Sequence, residues 1–572
     1  MLRFVGILLI AGLFLTTAKA QPNIHQQTMQ SLLSQERLPL VDGQDSVRLF
    51  HKEMLKQFYR QRNYQLAWQA DNLSDQLLSA IDQAINDGLD PSYAGYHKTL
   101  ISRLAYPLSL EERVLQDLLL SDAFITLGYH LFHGVAFGTE MDTLHRAVPM
   151  KKINMQQVLS EALQTGQIAK TLTELAPKHA YYLNLKTALR RYLAIAEQGG
   201  WNEDPEAYQD YDEVKQRLSI TGEFNCKPAD INLIPPPIQP EIKPIEWVWG
   251  KTEVSEKAPD VNKSETENDA ELEAMTYAVM EFQQRHHISV DGAIGPQTRQ
   301  KMAESVQSAI DKIRLNLERW RWYNSIVSDN YVMVNIPNFS LQYVNDTQAL
   351  SMKVVVGQKK RPTPIMEAKM SYLVFNPYWR IPKTILAEDI LPKLRKNKNY
   401  LNSKQISLFN SSDSTESHPL DSTSIDWQNT TKKGMLRYTF RQEPGVQNPL
   451  GRIKFMFPNS EDIYIHDTSA RYLFKNKAYL VSSGCVRAEQ PMELAYEVLN
   501  HEQPEFTRQY LDQQIQNGDR QVVHLQEKIP VYLTYQTAWA DKNGRLDLRN
   551  DVYGIDDNLM TFMKNTLKMY LN

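Results

Sequence analysis

Two short segments hold residue types that can do nucleophilic chemistry together. In Tyr464-Ile465-His466-Asp467-Thr468, His466 lies 19 residues before Cys485, which stands in Ser482-Ser483-Gly484-Cys485-Val486-Arg487. A thiol with a free pKa near ~8.5 is mostly protonated at neutral pH, and an imidazole that accepts or shares the proton makes it a nucleophile. The separation suits a strand, a connection and a returning strand, so sulfur and imidazole can meet. Gly484 permits close approach of the backbone to a bound acyl group, and N–H groups around Gly484 and Cys485 are candidates for an oxyanion hole. Arg487 adds a positive charge able to depress the thiol pKa or bind a carboxylate through two hydrogen bonds. Spacing alone leaves a bland alternative open, in which Cys485 is a small core residue or is bridged to Cys226, the only other cysteine, and His466 is a strand-end residue bonded to backbone.

The elements that would position these groups alternate with period two. Strands are expected over Tyr331–Ile336, Leu341–Val344, Ser351–Val356, Tyr372–Phe375, Arg452–Phe457, Asp462–His466, Tyr479–Val481 and Pro530–Tyr535. This places a mostly-β domain over 329–540, followed by a C-terminal segment over 541–572. Its interior is interrupted by a polar stretch, 383–440, whose Asn410–Ser424 centre holds six Ser and two Thr in fifteen residues. Such an insertion is expected to be either irregular or a lid.

Upstream the period is helical. Ser109-Leu110-Glu111-Glu112 reads as a capping box opening a helix with Val114, Leu115, Leu118 and Leu119 on one face, and a helical scaffold is expected over 21–226. His130 and His133 are three apart but lack a third ligand, and His286-His287 diverge around a helix, so neither pair predicts a metal site. A Pro-rich then charged linker follows over 227–271, a compact unit over 272–304 and a connecting helix over 305–328. At the start, Arg3, the apolar run Phe4–Leu15 and Ala18-Lys19-Ala20 have the parts of a signal peptide cleaved after Ala20, which predicts export.

The composition bounds the rest. A chain of 572 residues is too long for one core. With 63 basic against 67 acidic residues it offers no electrostatic footprint for nucleic acid, and a mean hydropathy of -0.47 excludes a polytopic membrane protein.

The runs Arg441–Gly445, Asn448–Gly451, Lys454-Phe455, Phe457–Asn459, Tyr464–Thr468 and Ser482–Arg487 closely resemble the L,D-transpeptidase catalytic domain of the YkuD type. Ala278–Gln283 with Val290–Thr298 resembles a small three-helix peptidoglycan-binding domain. Together with Asn376–Trp379, Thr537-Ala538-Trp539 and Asp551–Gly554, these make the chain similar to the large periplasmic YcbB-like branch. The resemblance implies a multidomain α+β architecture of helical scaffold, three-helix module and mostly-β catalytic domain with a capping insertion. It implies a periplasmic enzyme that forms 3→3 cross-links through a thioester on Cys485, with D-alanine released and no metal or organic cofactor. His466 would be base and then acid. Tyr464, Asp467, Ser482, Ser483, Gly484, Arg487 and Trp379 would line the site, and the imidazole's orienter would lie near Asp467 or Ser482. Implied partners are a tetrapeptide donor and diaminopimelate acceptor of peptidoglycan, other wall-synthesis enzymes, and carbapenems that acylate Cys485. Passing the thioester to water or to a lipoprotein, or a non-catalytic wall-binding role, are the competing readings. Ser469, Tyr479-Leu480 and Ala488 depart from the family pattern in and just after the segment between His466 and Cys485.

Overall fold

A computed structural model describes residues 24–40, 46–104, 108–136, 148–149, 151–224, 267–323, 329–346 and 349–568. The expected signal peptide, Cys226 and most of the expected linker lie outside them. Among the described residues no helix is long and apolar enough to cross a membrane. The chain divides into two compact units, one of residues up to Asp82 with Pro91–Gly128 and Asn154–Leu172, the other holding the remainder up to Asn572.

The first unit is helical, as its periodicity requires. Ser109 and Glu112 close the expected capping box reciprocally, the Ser109 N–H donating to Glu112 at 2.7 Å and the Glu112 N–H to Ser109 Oγ at 3.2 Å. That helix, Leu110–His133, carries two fully buried carboxylates. Asp117 accepts the N–H groups of Ala67 and Trp68, while Asp122 accepts those of Phe50 and His51 and a His97 ring nitrogen at 2.7 Å. Burying a carboxylate is costly unless it is bonded in this way, and each one fixes a neighbouring loop in return.

In the second unit a mixed sheet runs Leu480–Ser482, Ala349–Gly357, Val486–Ala488, Ile465–His466, Ile453–Met456, Met366–Phe375, Gln521–Thr534, Tyr331–Asn335, Ser340–Val344. The last strand also pairs with Ala349–Gly357, so eight of the nine close into a ring. Closure removes the edges that an open sheet would expose. The period-two reading located the strands but missed Val486–Ala488, which is only three residues long. The expected boundary at 540 also falls inside a hairpin, Ala538–Ala540 paired with Leu546–Leu548.

The polar insertion is a folded cap rather than an irregular loop. Strands Trp379–Arg380, Tyr438–Gln442 and Ile406–Asn410 form a three-stranded sheet. Leu391, Leu394, Leu401, Trp427, Met435 and Phe440 make a core of its own. Its Ser and Asp residues satisfy local turns, as where Asp413 and Asp421 accept backbone N–H groups two residues on.

The peptidoglycan-binding-like unit contributes helices Glu267–Arg285 and Pro296–Met302. Gln283 explains why Gln and Asp-Gly belong together in its motif. Its Oε1 accepts the N–H groups of Asp291 and Gly292, and its Nε2 donates to Asp291 and the Ala293 carbonyl. The third helix comes from before the expected linker: Val214 and Leu218 of Tyr211–Thr221 share one core with Met275, Val279, Phe282 and Met302. Arg285, fully buried, bonds Glu281 and Asp547, which ties the module to the C-terminal hairpin.

Because the cap has its own core, Trp427→Ala is expected to cost about 3–5 kcal/mol there. Limited proteolysis should then cut within 383–440 while the main thermal transition stays in place. Loss of both together would show that the cap does not fold as a separate unit.

Candidate active site

The site is set by a parallel pairing of two short strands, with Ile465 opposite Val486 and His466 opposite Arg487. The Val486 N–H donates to the Tyr464 carbonyl at 3.1 Å, which extends the register back to bring Tyr464 beside Cys485. Side chains two apart share a face, and in-register partners point the same way. Tyr464, His466, Cys485 and Arg487 therefore stand on one side of the sheet. Lys454 joins them as the antiparallel partner of His466, its ammonium 5.3 Å from the Tyr464 ring centroid.

The nucleophile is held by a tight turn. Ser482 Oγ donates to the Cys485 carbonyl at 2.6 Å and accepts the Gly484 N–H at 3.2 Å. The expected oxyanion donor at Gly484 is thus engaged within the turn. Gly484 has φ +115, a backbone conformation that favours glycine. Its carbonyl accepts Thr363 Oγ1 at 2.7 Å, and the Thr363 N–H donates to Tyr553 Oη at 3.0 Å. The C-terminal segment thereby braces the cysteine loop from beneath.

His466 is buried, and its Nδ1 faces the carbonyl of Asp467. A carbonyl can only accept, so Nδ1 carries the proton and Nε2 keeps the lone pair a base needs. Burial pushes this imidazole down to about 3, with Arg487 and Lys454 adding to the effect and the Asp467 bond opposing it. Burial pushes the Cys485 thiol up to about 11, against the lowering influence of Tyr464, Arg487 and Lys454. Both directions favour a neutral thiol beside a neutral imidazole. Sγ has Tyr464 and, at 3.9 Å, the Asp462 carbonyl as polar neighbours. Among the described residues no hydrogen bond joins it to His466, a contact that in apo enzymes often tightens only with substrate.

The remaining expected residues divide. The Asp467 carboxylate is spent on structure, bonding Arg471 at 2.6 Å and the Arg452 N–H at 2.9 Å. It also leaves room only for glycine at Gly451, whose φ is +62 and whose Cβ would lie 2.4 Å from it. Trp379 sits in the cap sheet against the cap's core, with no contact to Cys485 among those described. Ser483, exposed, accepts a hydrogen bond from Arg361 at 3.0 Å. Arg487 Nε is buried and has no hydrogen-bond partner among the described residues.

Sequence reasoning missed Arg361, Thr363 and Tyr553 as supports of the site. Arg361 reaches Glu388 and Asp389 of the cap at 2.6 Å each as well as Ser483, which links the cap to the cysteine loop. Lys454 lies two residues from Met456 on an alternating strand, which puts both on one defined face.

Residues 329–520 match the family model for the YkuD L,D-transpeptidase catalytic domain. The chain carries an L,D-transpeptidase catalytic domain. Residues 53–189 match a model named Scaffold domain, and 266–302 match one named "Putative peptidoglycan binding domain". A Haemophilus influenzae protein described as a "Putative L,D-transpeptidase" is 34% identical over 265 residues, covering 46% of this chain and 51% of that protein. The chain thus spans about half the length of this curated relative. In the transpeptidase domain the matched range ends at 520, before the strand Gln521–Thr534 and before Tyr553, both of which the closed sheet and the cysteine loop use.

The raised thiol pKa sets the pH response of the free enzyme. Only the thiolate alkylates, so the rate of Cys485 modification by iodoacetamide should climb about tenfold per pH unit from 7 to 10 without levelling. A plateau below pH 8, followed by intact mass, would mean that the thiolate is already formed at rest.

Proposed function

We propose that this chain is an exported enzyme forming 3→3 cross-links between peptidoglycan stem peptides. The reading is carried by one observation: the Cys485 thiol, an imidazole whose Nδ1 is engaged by a carbonyl and an unpartnered buried guanidinium nitrogen stand on one face of the transpeptidase domain. Cys485 Sγ attacks the carbonyl of the third-position diaminopimelate while its proton passes to His466 Nε2. The tetrahedral intermediate collapses as that proton goes to the departing D-alanine amine, which leaves a thioester. The side-chain amine of a second stem's diaminopimelate then attacks, His466 takes its proton, and the thiolate leaves and is reprotonated as the new amide forms.

The neutral resting pair supports concerted transfer, since a preformed imidazolium and thiolate would have to survive in a desolvated pocket. Arg487 Nε supplies a donor for a carboxylate of the donor stem, and Lys454 adds positive charge where the oxyanion develops. The Tyr464 side chain, on the same face as the sulfur, lowers the cost of the negative charge that develops there. The cap excludes water so that the acceptor amine outcompetes hydrolysis, with Arg361 tying it to the cysteine loop. Carbapenems would acylate the same sulfur. A periplasmic location follows from this substrate and agrees with the leader expected at the start of the sequence.

Muropeptide profiles of cells expressing the wild type or Cys485→Ala provide the test. Dimers of the 3→3 type should appear with the wild type and fall to background with the variant. Dimers that do not depend on Cys485 would overturn the reading, and tripeptides without dimers would make the enzyme a hydrolase. With purified protein and soluble tetrapeptide, Arg361→Met is expected to raise the ratio of hydrolysis to cross-linking several-fold. An unchanged ratio would remove the ion pairs of Arg361 from water exclusion.

A further inference from the structure

Around the nucleophile the backbone donors are spent unevenly. The Gly484 N–H is taken by Ser482 Oγ and the Val486 N–H by the Tyr464 carbonyl. The Cys485 N–H between them has no hydrogen-bond partner among the described residues. It belongs to the same peptide unit as the Gly484 carbonyl, and a trans peptide is planar, with its N–H opposed to its C=O. Whatever holds that carbonyl therefore aims that N–H.

The carbonyl is held by a closed set of bonds from two distant segments. Thr363 Oγ1 donates to it at 2.7 Å and accepts the Gly357 N–H at 2.9 Å. Tyr553 Oη donates to the Gly357 carbonyl at 2.8 Å and accepts the Thr363 N–H at 3.0 Å. A carbonyl can only accept and an amide N–H can only donate, so each hydroxyl spends its one proton in a fixed direction. Thr363 is fully buried, and a Cβ at Gly357 would lie 2.2 Å from the Arg361 carbonyl, so the 357–363 loop is folded tightly around these bonds. Tyr553 is fixed in turn. Its N–H donates to Tyr535 Oη at 2.8 Å, the two rings stack with centroids 5.5 Å apart, and the Tyr535 hydroxyl donates to Asp551.

We infer that Tyr553 is a positioning residue for acyl transfer: through Thr363 it sets the plane of the Gly484–Cys485 peptide, so that the Cys485 N–H meets the oxyanion formed as the sulfur attacks. The inference rests on the acyl transfer by Cys485 proposed above. It puts a determinant of the rate outside the matched catalytic range, which ends at 520. Removing an oxyanion donor outright costs ~10²–10³ in rate, and a donor left in place but free to tilt loses part of that. The bonds from Ser482 that shape the turn do not involve Tyr553, so the sulfur keeps its place when Tyr553 Oη is removed.

Two reactions of the same sulfur separate a positioning role from a merely structural one. Alkylation by iodoacetamide displaces iodide and builds no oxyanion, whereas acylation by meropenem opens its lactam through one. With the purified full chain followed by intact mass, Tyr553→Phe is expected to lower the maximal acylation rate about tenfold. The meropenem concentration that gives half that rate should not move, and neither should the rate of alkylation. Thr363→Val should reproduce this profile, and Thr363→Ser should recover most of the lost rate. Combining Tyr553→Phe with Thr363→Val should cost no more than Thr363→Val alone, because both act through one bonded chain. Acylation of Tyr553→Phe at the wild-type rate would overturn the inference, and so would equal losses of alkylation and acylation in both Tyr553→Phe and Thr363→Val. A soluble tetrapeptide, read in the same way, tells this apart from the proposed activity. A wild type acylated by meropenem but not by tetrapeptide would defeat the cross-linking reading and leave the role of Tyr553 standing. Cross-linking by a Tyr553→Phe chain that acylates at the wild-type rate would defeat this inference alone.

Discussion

Two residue pairs of parallel strand, Ile465 with Val486 and His466 with Arg487, hold the reactive centre together. Parallel neighbours in register present their side chains to the same face, so this pairing alone aligns base, nucleophile, Tyr464 and Arg487. A one-residue slip would send His466 to one face and Cys485 to the other. Strands this short cannot enforce register by themselves. The enforcement comes from outside them: Lys454 opposite His466, the Asp467 ion pairs to Arg452 and Arg471, and the Ser482 bonds across the turn.

Burial and charge oppose one another in the same place. Removing the thiol and imidazole from water disfavours both ionised forms, while Lys454 and Arg487 favour the thiolate and disfavour imidazolium. For His466 the two act together, and for Cys485 burial outweighs the cations, which favours the uncharged pair. Reactivity is thus held back until a substrate arrives to receive the electrons, which suits a site whose intermediate must avoid water.

The domains of the second unit are joined by buried polar contacts as much as by apolar packing. Arg285 with Glu281 and Asp547 links the peptidoglycan-binding-like module to the C-terminal hairpin, and Thr363 with Tyr553 links the C-terminal segment to the cysteine loop. Such groups are expensive to leave unpaired, so they specify one arrangement more strictly than apolar contact would. The residues after 540 therefore belong to the catalytic architecture, although the expected domain boundary set them apart.

The sequence by itself determined the reactive types and their order, His466 then Cys485 beside Gly484 and Arg487, because an alternating pattern and a motif of fixed spacing are local properties. Most strands and the capping box at Ser109 were legible for the same reason. For the insertion the pattern alone left an irregular stretch and a lid both open, since its core residues are scattered through a Ser-rich stretch and only their convergence around Trp427 makes them a core. The third helix of the small module was invisible, because Val214 and Leu218 reach Phe282 across the intervening linker stretch. Tertiary structure alone decided that the imidazole leans on the Asp467 carbonyl, that the Asp467 carboxylate serves structure, that Trp379 stands in the cap, and that Arg361 spans cap and cysteine loop. Each depends on where a side chain points after distant segments meet, and sequence spacing carries no information about that.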